Sequence, residues 1–323
     1  MLRKTMAARK DFYQLEKNII LLKEKIDDLE EKEEAGWGEK VKLLRKKIEQ
    51  QWAEIKPQLT PFNIVQIARH PKRPYTLDYI EYLTEDFMEF HGDRRSGDDP
   101  AIIAGFGCYK GQTAAFIGHQ KGRTTRLRIA RNFGQPNPEG YRKALRIMRL
   151  AEKFGFPVIT LIDTPGAYPG IHAEEKGQAE AIAYNLKEIS KLRVPVVNVV
   201  IGEGGSGGAL GIGVGDVLLI LEYSFYSVIS PEGCAAILWK DQSAVNQAAE
   251  NLKFLAKDLL ELGIVDKIIP EPPGGAHIDY KQVFKNVDEQ INMSMKKIKQ
   301  KSIENMLEDR YQKFRKIGVF VEK

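Results

Sequence analysis

Five of the nine residues in Gly202-Glu203-Gly204-Gly205-Ser206-Gly207-Gly208-Ala209-Leu210 are glycine, which gives the run the composition of a binding site made of main chain. An apolar, β-branched segment over 194–201, interrupted by Pro195 and Asn198, precedes it and reads as a strand. The small residues of 207–215 read as a helix, so the glycines fall at a strand-to-helix turn. Such a turn presents backbone N–H groups that lack helical partners, and the helix dipole adds partial positive charge. Glycine also lets another molecule come close to the backbone. The chemistry these residues could do is therefore the binding of an anion or a developing oxyanion.

A nucleotide P-loop needs Lys-Ser or Lys-Thr after its last glycine, and Ala209-Leu210 stand there, which excludes it. Gly202, Gly204 and Gly207 fit the dinucleotide spacing G-x-G-x-x-G, with Glu222 about 20 residues on. Gly211, Gly213 and Gly215 would break the helix that this fingerprint requires, which argues against it. Two readings stay open: an oxyanion hole, and close packing of strand and helix through small residues.

A second loop has the same placement about 40 residues earlier. The strand-like segment 158–162 ends in Asp163-Thr164-Pro165-Gly166-Ala167-Tyr168-Pro169-Gly170. Two prolines and two glycines make a stiff loop where α/β sheets place ligands, at a strand's carboxyl end. Lys121 and Arg123, beside Gly118 and Gly122, are the cations best suited to a phosphate or carboxylate. Arg126, Arg128, Arg131, Arg142, Lys143, Arg146 and Arg149 extend the basic stretch; for most of them a solvated face is the plainer reading. His91 and Asp93 read as a helix C-terminus with local hydrogen bonds.

The elements that must position these residues follow from pattern. Phe12, Leu15, Ile19, Leu22, Ile26 and Leu29 form a heptad seam, which resumes at Val41, Leu44, Ile48 and Ile55 after Gly36-Trp37-Gly38. This predicts an antiparallel helical hairpin, expected to dock a partner subunit because so long a seam buries little against itself. A helix is expected over 77–90, and a β-hairpin over 102–109 and 113–117 turning at Lys110-Gly111. Helices over 139–154, 173–192 and 243–262 alternate with strands over 158–162, 217–221, 227–229 and 264–269. A charged helical tail over 278–316 carries one apolar packing stripe, Ile291, Met295 and Ile298. Repeated strand–helix units argue an α/β fold.

With 323 residues, 43% hydrophobic, the chain is long enough for a sizeable core. A net charge of +5 suits phosphorylated ligands or an acidic partner and is too small to argue nucleic-acid binding. The two cysteines, Cys108 and Cys234, cannot form a zinc site built from four thiolates. No apolar run is long enough to span a bilayer and no signal-peptide pattern appears, so a cytoplasmic protein is expected.

Long motifs in order carry a resemblance. Ala68-Arg69-His70-Pro71, Gly118-His119-Gln120-Lys121-Gly122-Arg123, Pro138-Glu139-Gly140-Tyr141-Arg142-Lys143-Ala144, Asp163 to Gly170, Gly204 to Leu210 and Ser230-Pro231-Glu232-Gly233-Cys234 span nearly the whole chain. Together they resemble the α subunit of bacterial acetyl-CoA carboxylase carboxyltransferase. The resemblance implies a crotonase-type ββα superhelix with an N-terminal helical hairpin (1–57), a carboxyltransferase core (58–272) and a C-terminal helical extension (273–323). It implies transfer of a carboxyl group from carboxybiotin, on a biotin carboxyl carrier protein, to acetyl-CoA, giving malonyl-CoA for fatty acid synthesis. It implies a β subunit of the same fold that carries the zinc, an α2β2 assembly, and association with biotin carboxylase. No metal and no covalently bound cofactor are expected on this chain, and no Met-Lys-Met biotinylation site occurs in it. By resemblance, the Gly207 and Gly208 amides stabilise the biotin oxyanion. Pro165, Gly166, Ala167, Gly204, Gly205, Ser206 and Ala209 line the cleft, with Lys121 and Arg123 as substrate contacts. A self-sufficient hydratase of the same fold would instead need Glu203 or Glu232 over the site.

Overall fold

The structure is a computed structural model that describes residues 11–32 and 36–318. Residues 1–10, 33–35 and 319–323, parts of the expected hairpin and terminal extension, lie outside the described residues. In chain order come helices α1 (Phe12–Lys32), α2 (Trp37–Ile55), α3 (Pro61–Ala68) and α4 (Thr76–Leu83). Strands β1 (Glu85–Glu89), β2 (Ile102–Tyr109) and β3 (Gln112–His119) follow, then α5 (Thr125–Ala130) and α6 (Pro138–Phe154). Next are β4 (Val158–Thr164), α7 (Ile171–Glu175), α8 (Gln178–Ile189), β5 (Val196–Gly205) and α9 (Ser206–Leu210). β6 (Val217–Leu221), β7 (Phe225–Ser227), α10 (Pro231–Leu238) and β8 (Lys267–Ile269) complete the sheet region, ahead of the helices Tyr280–Ile298 and Ile303–Arg315.

The sheet is mixed, in the order β1-β2-β3-β4-β5-β6-β8, with β7 paired to β5. The first three strands are antiparallel and the β3–β4, β4–β5, β5–β6 and β6–β8 pairs are parallel. β4 is buried on both faces, so it is apolar through most of its length rather than alternating. Val158 and Ile162 point into the core beneath α6 and α8; Ile159 and Leu161 point into the core beneath α4 and the Tyr280–Ile298 helix. The interruption at Asn198 has a partner: Thr160 donates to its Oδ1 at 2.7 Å and its Nδ2 donates to Gly213 O at 2.9 Å. The expected strand–helix alternation and the 102–119 hairpin turn are present. The tail stripe Ile291, Met295 and Ile298 is buried, as a packing face should be.

Four expectations change. The segment expected as one helix over 243–262 is two, Val245–Asn251 and Ala256–Glu261, parted at 252–255. The segment expected as one helix over 77–90 is α4 followed by β1, because residues 85–89 pair along the edge of β2. Gly105 permits this approach: a Cβ there would lie 2.1 Å from Met88 O. The 173–192 helix is divided into α7 and α8 at Gly177, whose φ of 84° ends the first and opens the second. The heptad seam packs against the core as well as against itself. Phe12, Ile19, Ile26, Val41, Ile48 and Trp52 are buried together with Ile67, Tyr223 and Ile278 of the core. Trp52 packs edge-on against Tyr223 at 5.5 Å and donates its indole N–H to that hydroxyl at 3.2 Å.

Candidate active site

The glycine run is the end of β5 and the start of α9, as expected, but the proportions differ. β5 runs on through Gly205, and α9 spans five residues rather than reaching Gly215. Gly211, Gly213 and Gly215 lie outside it. So short a helix has little dipole, and any anion affinity rests on the amides themselves. Gly207 and Gly208 occupy the first turn, where N–H groups have no carbonyl partner within the helix. Ser206 turns the chain into that helix with φ of 50°, a left-handed conformation uncommon for a residue with a side chain. Its side chain is exposed, Gly207 is half-buried and Gly208 is buried.

The two loops meet backbone to backbone. A Cβ on Gly205 would lie 2.2 Å from Pro165 O, and one on Gly208 would lie 2.4 Å from Gly166 C and 2.6 Å from Ala167 N. At Gly204 it would strike the Tyr226 ring at 2.4 Å. Gly207 is different, since its Cβ would make ordinary contacts with Ile182 at 3.6 and 3.9 Å. The packing reading therefore holds for some of these glycines and not for Gly207. Gly204, Gly205 and Gly208 are required by packing, while Gly207 would tolerate a Cβ and has a first-turn amide. Ala209, beneath them, is fully buried in the core. Thr164 stiffens the facing loop: its Oγ1 accepts Gly166 N–H at 3.1 Å and donates to Gly166 O at 2.8 Å.

Under both loops lies a ladder of charge. Lys121 Nζ is 2.8 Å from Asp163 Oδ1 and 3.0 Å from Glu203 Oε2. Arg69 Nε reaches Glu203 Oε1 at 2.6 Å and Arg69 Nη1 reaches Glu232 Oε1 at 2.7 Å. The Glu203 N–H donates to Asp163 Oδ1 at 3.0 Å. Here the β4–β5 register shifts, between Ile162–Thr164 on one strand and Val200–Gly204 on the other, which is a bulge beside the site. Burial alone would raise the Glu203 carboxyl, but the Lys121 and Arg69 charges outweigh it and hold it below its ordinary value. Burial would lower the Lys121 ammonium, and Asp163 and Glu203 raise it instead.

Lys121 is thus not the solvent-facing phosphate ligand its glycine-flanked position implied; its side chain is 15% exposed and engaged by two carboxylates. Arg123 is more open, but it pairs with Asp78 and lies over the Tyr75 ring at 4.8 Å. Glu203, with both oxygens occupied by cations, is poorly placed to act as a hydratase base. His91 and Asp93 follow a strand and not a helix C-terminus, but Asp93 does make local bonds, accepting from the N–H groups of Arg95, Ser96 and Gly97.

His119 escaped the residue-by-residue reading, although it stands in the motif with Lys121. It is fully buried at the end of β3. Its Nδ1 accepts Asp163 N–H at 3.4 Å, which leaves Nε2 as the donor to Gly208 O at 3.2 Å. It joins the strand that carries one loop to the turn that carries the other. Burial pushes its pKa down to about 3, so it is neutral in the folded chain. Its unfolded form takes a proton below about pH 6.5. The contribution to stability should be complete above that value and should decline as the pH falls from there toward about 3. Urea midpoints measured across that range should slope less steeply for His119→Gln, which can still donate to Gly208 O, than for the unsubstituted chain. Equal slopes would show that His119 is not held neutral.

A third cluster, away from the glycines, has the donor types of a metal site. Glu16, His70 and His277 are buried, with ligand atoms within 4.8 Å of one another. Its hydrogen bonds favour a latch instead. His70 Nδ1 accepts Lys72 N–H at 3.3 Å, so Nε2 carries the proton and faces Glu16 Oε1 at 3.3 Å. A metal at Nε2 would need that proton on the other nitrogen. His277 Nε2 meets Glu16 Oε2 at 2.9 Å, and the two imidazoles stack at 3.8 Å. The cluster fastens α1 to the core.

Residues 12–318 match the model of the family described as acetyl co-enzyme A carboxylase carboxyltransferase-like. An acetyl-coenzyme A carboxylase carboxyl transferase subunit alpha from Geobacter metallireducens is 53% identical over 316 residues, covering 96% of this chain and 99% of that one. One of the same name from Anoxybacillus flavithermus is 52% identical, covering 96% of each. Among solved structures, transcarboxylase 12S superposes with a TM-score of 0.58 at 18% identity, covering 71% of this chain and 42% of that chain, so this chain spans less than half of its length. A Pseudomonas malonate decarboxylase hetero-tetramer chain superposes with a TM-score of 0.57 at 14% identity, covering 73% and 91%. These likenesses to carboxyltransferases fix the fold as crotonase-type, and the match along 12–318 settles the family: the chain belongs to the acetyl-CoA carboxylase carboxyltransferases.

Proposed function

We propose that this chain is the α half of a carboxyltransferase site, which takes the carboxyl group of carboxybiotin on a carrier protein and is completed by a β subunit that supplies the matching oxyanion site for the enolate of acetyl-CoA. The family's reaction, carboxylation of acetyl-CoA to malonyl-CoA for fatty acid synthesis, is the activity of the chain. Carboxybiotin supplies the carboxyl group and leaves negative charge on an oxygen. The Gly207 and Gly208 N–H groups meet such an oxygen with donors fixed before the reaction, so no reorganisation is needed as charge develops. Gly207 is the glycine of the turn whose Cα side is not closed by backbone or a ring, a Cβ there meeting only Ile182 at ordinary distances. The Pro165-Gly166-Ala167 loop, in contact with Gly205 and Gly208, forms the wall of the cleft. Ser206 stands exposed at the rim. Arg123, half-exposed over Tyr75, remains a candidate substrate contact; Lys121 acts through Asp163 and Glu203.

The β subunit is drawn to this side by apolar exposure. Ile171 at the start of α7 and Val228 just after β7 are 74% and 79% exposed beside the two loops, and Ile237 and Leu238, 68% and 67% exposed, close α10, whose Glu232 reaches Arg69 of the charge ladder. Scattered exposed apolar residues are ordinary, but four on the elements that flank one site favour a protein partner there. The hairpin of 1–57 would then contribute through its charged outer faces, since its seam is buried. The zinc expected of the assembly would belong to β, and a biotin carboxylase would complete it in the cytoplasm.

The observation that carries this reading is the first-turn amide of Gly207, where an added Cβ would meet only ordinary contacts, at a turn locked to the facing loop through Gly205 and Gly208. The test is carboxyl transfer by the purified chain with acetyl-CoA and carboxylated carrier, with and without β. Malonyl-CoA is expected only from the pair. Its formation by this chain alone would show that the second half-site is not needed.

A further inference from the structure

A cavity of about 730 Å3 lies between α6, α8 and the loop of residues 90–99. That volume is in the range of small-molecule sites. Six cationic side chains and only two carboxylates, Asp93 and Glu180, line it. Arg142, Arg146 and Arg149 project from one face of α6 at steps of four and three, and Arg94 and Arg95 come from the loop.

Some of these charges are already matched. Arg142 is paired with Asp93, which also accepts three loop N–H groups. Arg149 is held by Glu188 and the Tyr184 hydroxyl. Arg94, Arg95 and Arg146 have no carboxylate partner among the described residues. Arg146 donates to the carbonyl oxygens of Phe90, His91 and Gly92, and Arg94 to that of His91. Burial and then the Arg94 charge push the Arg146 guanidinium below its ordinary value, against the opposing pull of Asp98 and Asp93, neither of which is within ion-pair distance of it. Arg94 sits there with φ of 62°, a conformation unfavourable for a residue with a Cβ. The floor of the cavity is apolar, with Leu145 and Ala181 buried, and one wall is the Tyr184 ring, which lies 5.3 Å from the Arg149 guanidinium.

Guanidinium forks match phosphoryl oxygens two at a time, and an aromatic and apolar wall suits a flat organic body. We propose that this cavity binds a small metabolite carrying two or more phosphoryl groups, with the phosphates on Arg94, Arg95 and Arg146 and the organic part against Leu145 and Tyr184. Two sources share that chemistry: a free nucleotide-like effector, and the phosphates of a coenzyme A substrate.

The experiment uses the full chain assembled with β. Inorganic pyrophosphate, ADP and coenzyme A are titrated calorimetrically into it and into an Arg95→Glu variant. Arg95 is exposed and carries no structural ion pair among the described residues, so the variant should fold. Pyrophosphate and ADP should bind the unsubstituted complex, and Arg95→Glu should weaken both by about ten-fold or more, the loss expected of a charge-assisted contact. More added salt should weaken them further. An unchanged KM for acetyl-CoA in the variant would assign the cavity to a separate effector; a KM that rises with the loss of pyrophosphate binding would assign it to the coenzyme. Failure of all three probes to bind the unsubstituted complex at millimolar concentration would overturn the proposal, as would equal affinities in the variant. Loss of β binding in Arg95→Glu would also overturn it, by making this surface a subunit interface.

Discussion

Lys121→Met is expected to destabilise the folded chain by about 3–5 kcal/mol, the range for removing one partner from a buried ion pair. Methionine fills the volume of the lysine stem but leaves Asp163 and Glu203 facing each other, 4% and 6% exposed, without the ammonium between them. Arg69 would still reach Glu203, so the uncompensated charge falls mainly on Asp163. Asp163 Oδ1 also accepts the Glu203 N–H that pins the bulge of β5 to β4, and its own N–H is tied to His119. The variant should therefore lose carboxyl transfer through displacement of both loops, with kcat reduced more than KM is raised. Lys121→Arg keeps the charge in a bulkier fork and should recover part of the stability. Urea denaturation of the three chains, with transfer assays on the assembled complexes, checks this. A solvent-facing phosphate ligand would give the opposite pattern: a near-unchanged midpoint and a raised KM for acetyl-CoA.

That prediction also shows where sequence reading stopped. The glycine run, the Asp163–Gly170 loop and the β-hairpin were legible because each is local: a turn composition, a breaker spacing, an alternation of apolar residues. The charge ladder was not, because Lys121 stands 42 residues from Asp163 and 82 from Glu203, and Arg69 stands 134 from Glu203. Beside Gly118 and Gly122, Lys121 reads as a ligand for an external phosphate or carboxylate, not as the partner of two carboxylates far along the chain. A weak signal existed: Asp163 and Glu203 are single carboxylates at the ends of otherwise apolar or glycine-rich strands, and buried carboxylates require cations. β1 was missed for a related reason. Residues 85–89 gain their strand conformation from pairing with β2 and not from their own composition. The seam of α1 and α2 was seen, but periodicity does not say what covers it; Tyr223 and Ile278, far along the chain, do. Nor could composition divide the glycines by role, since that depends on what faces each absent Cβ.

Gly207→Pro is the substitution expected to separate catalysis from packing. Proline at a first-turn position removes an N–H that has no helical partner, so the loss of a structural hydrogen bond is small. If that N–H is an oxyanion donor, kcat should fall about 100- to 1,000-fold. Gly207→Ala is the companion, because its methyl group would sit 3.6 Å from Ile182 Cδ1 and its amide stays in place. It should fold, assemble with β and retain much of its turnover. Substitution at Gly208 cannot make this distinction. Even alanine there would bring Cβ to 2.4 Å from Gly166 C, displacing the facing loop whether or not the Gly208 amide takes part in chemistry. Circular dichroism, complex formation with β and carboxyl transfer should be measured on the same preparations of all three variants. A Gly207→Pro chain that folds, assembles and turns over at the rate of the unsubstituted complex would remove Gly207 from the oxyanion site. A Gly208→Ala chain with native folding and full turnover would contradict the loop contact from which the division of roles among these glycines is drawn.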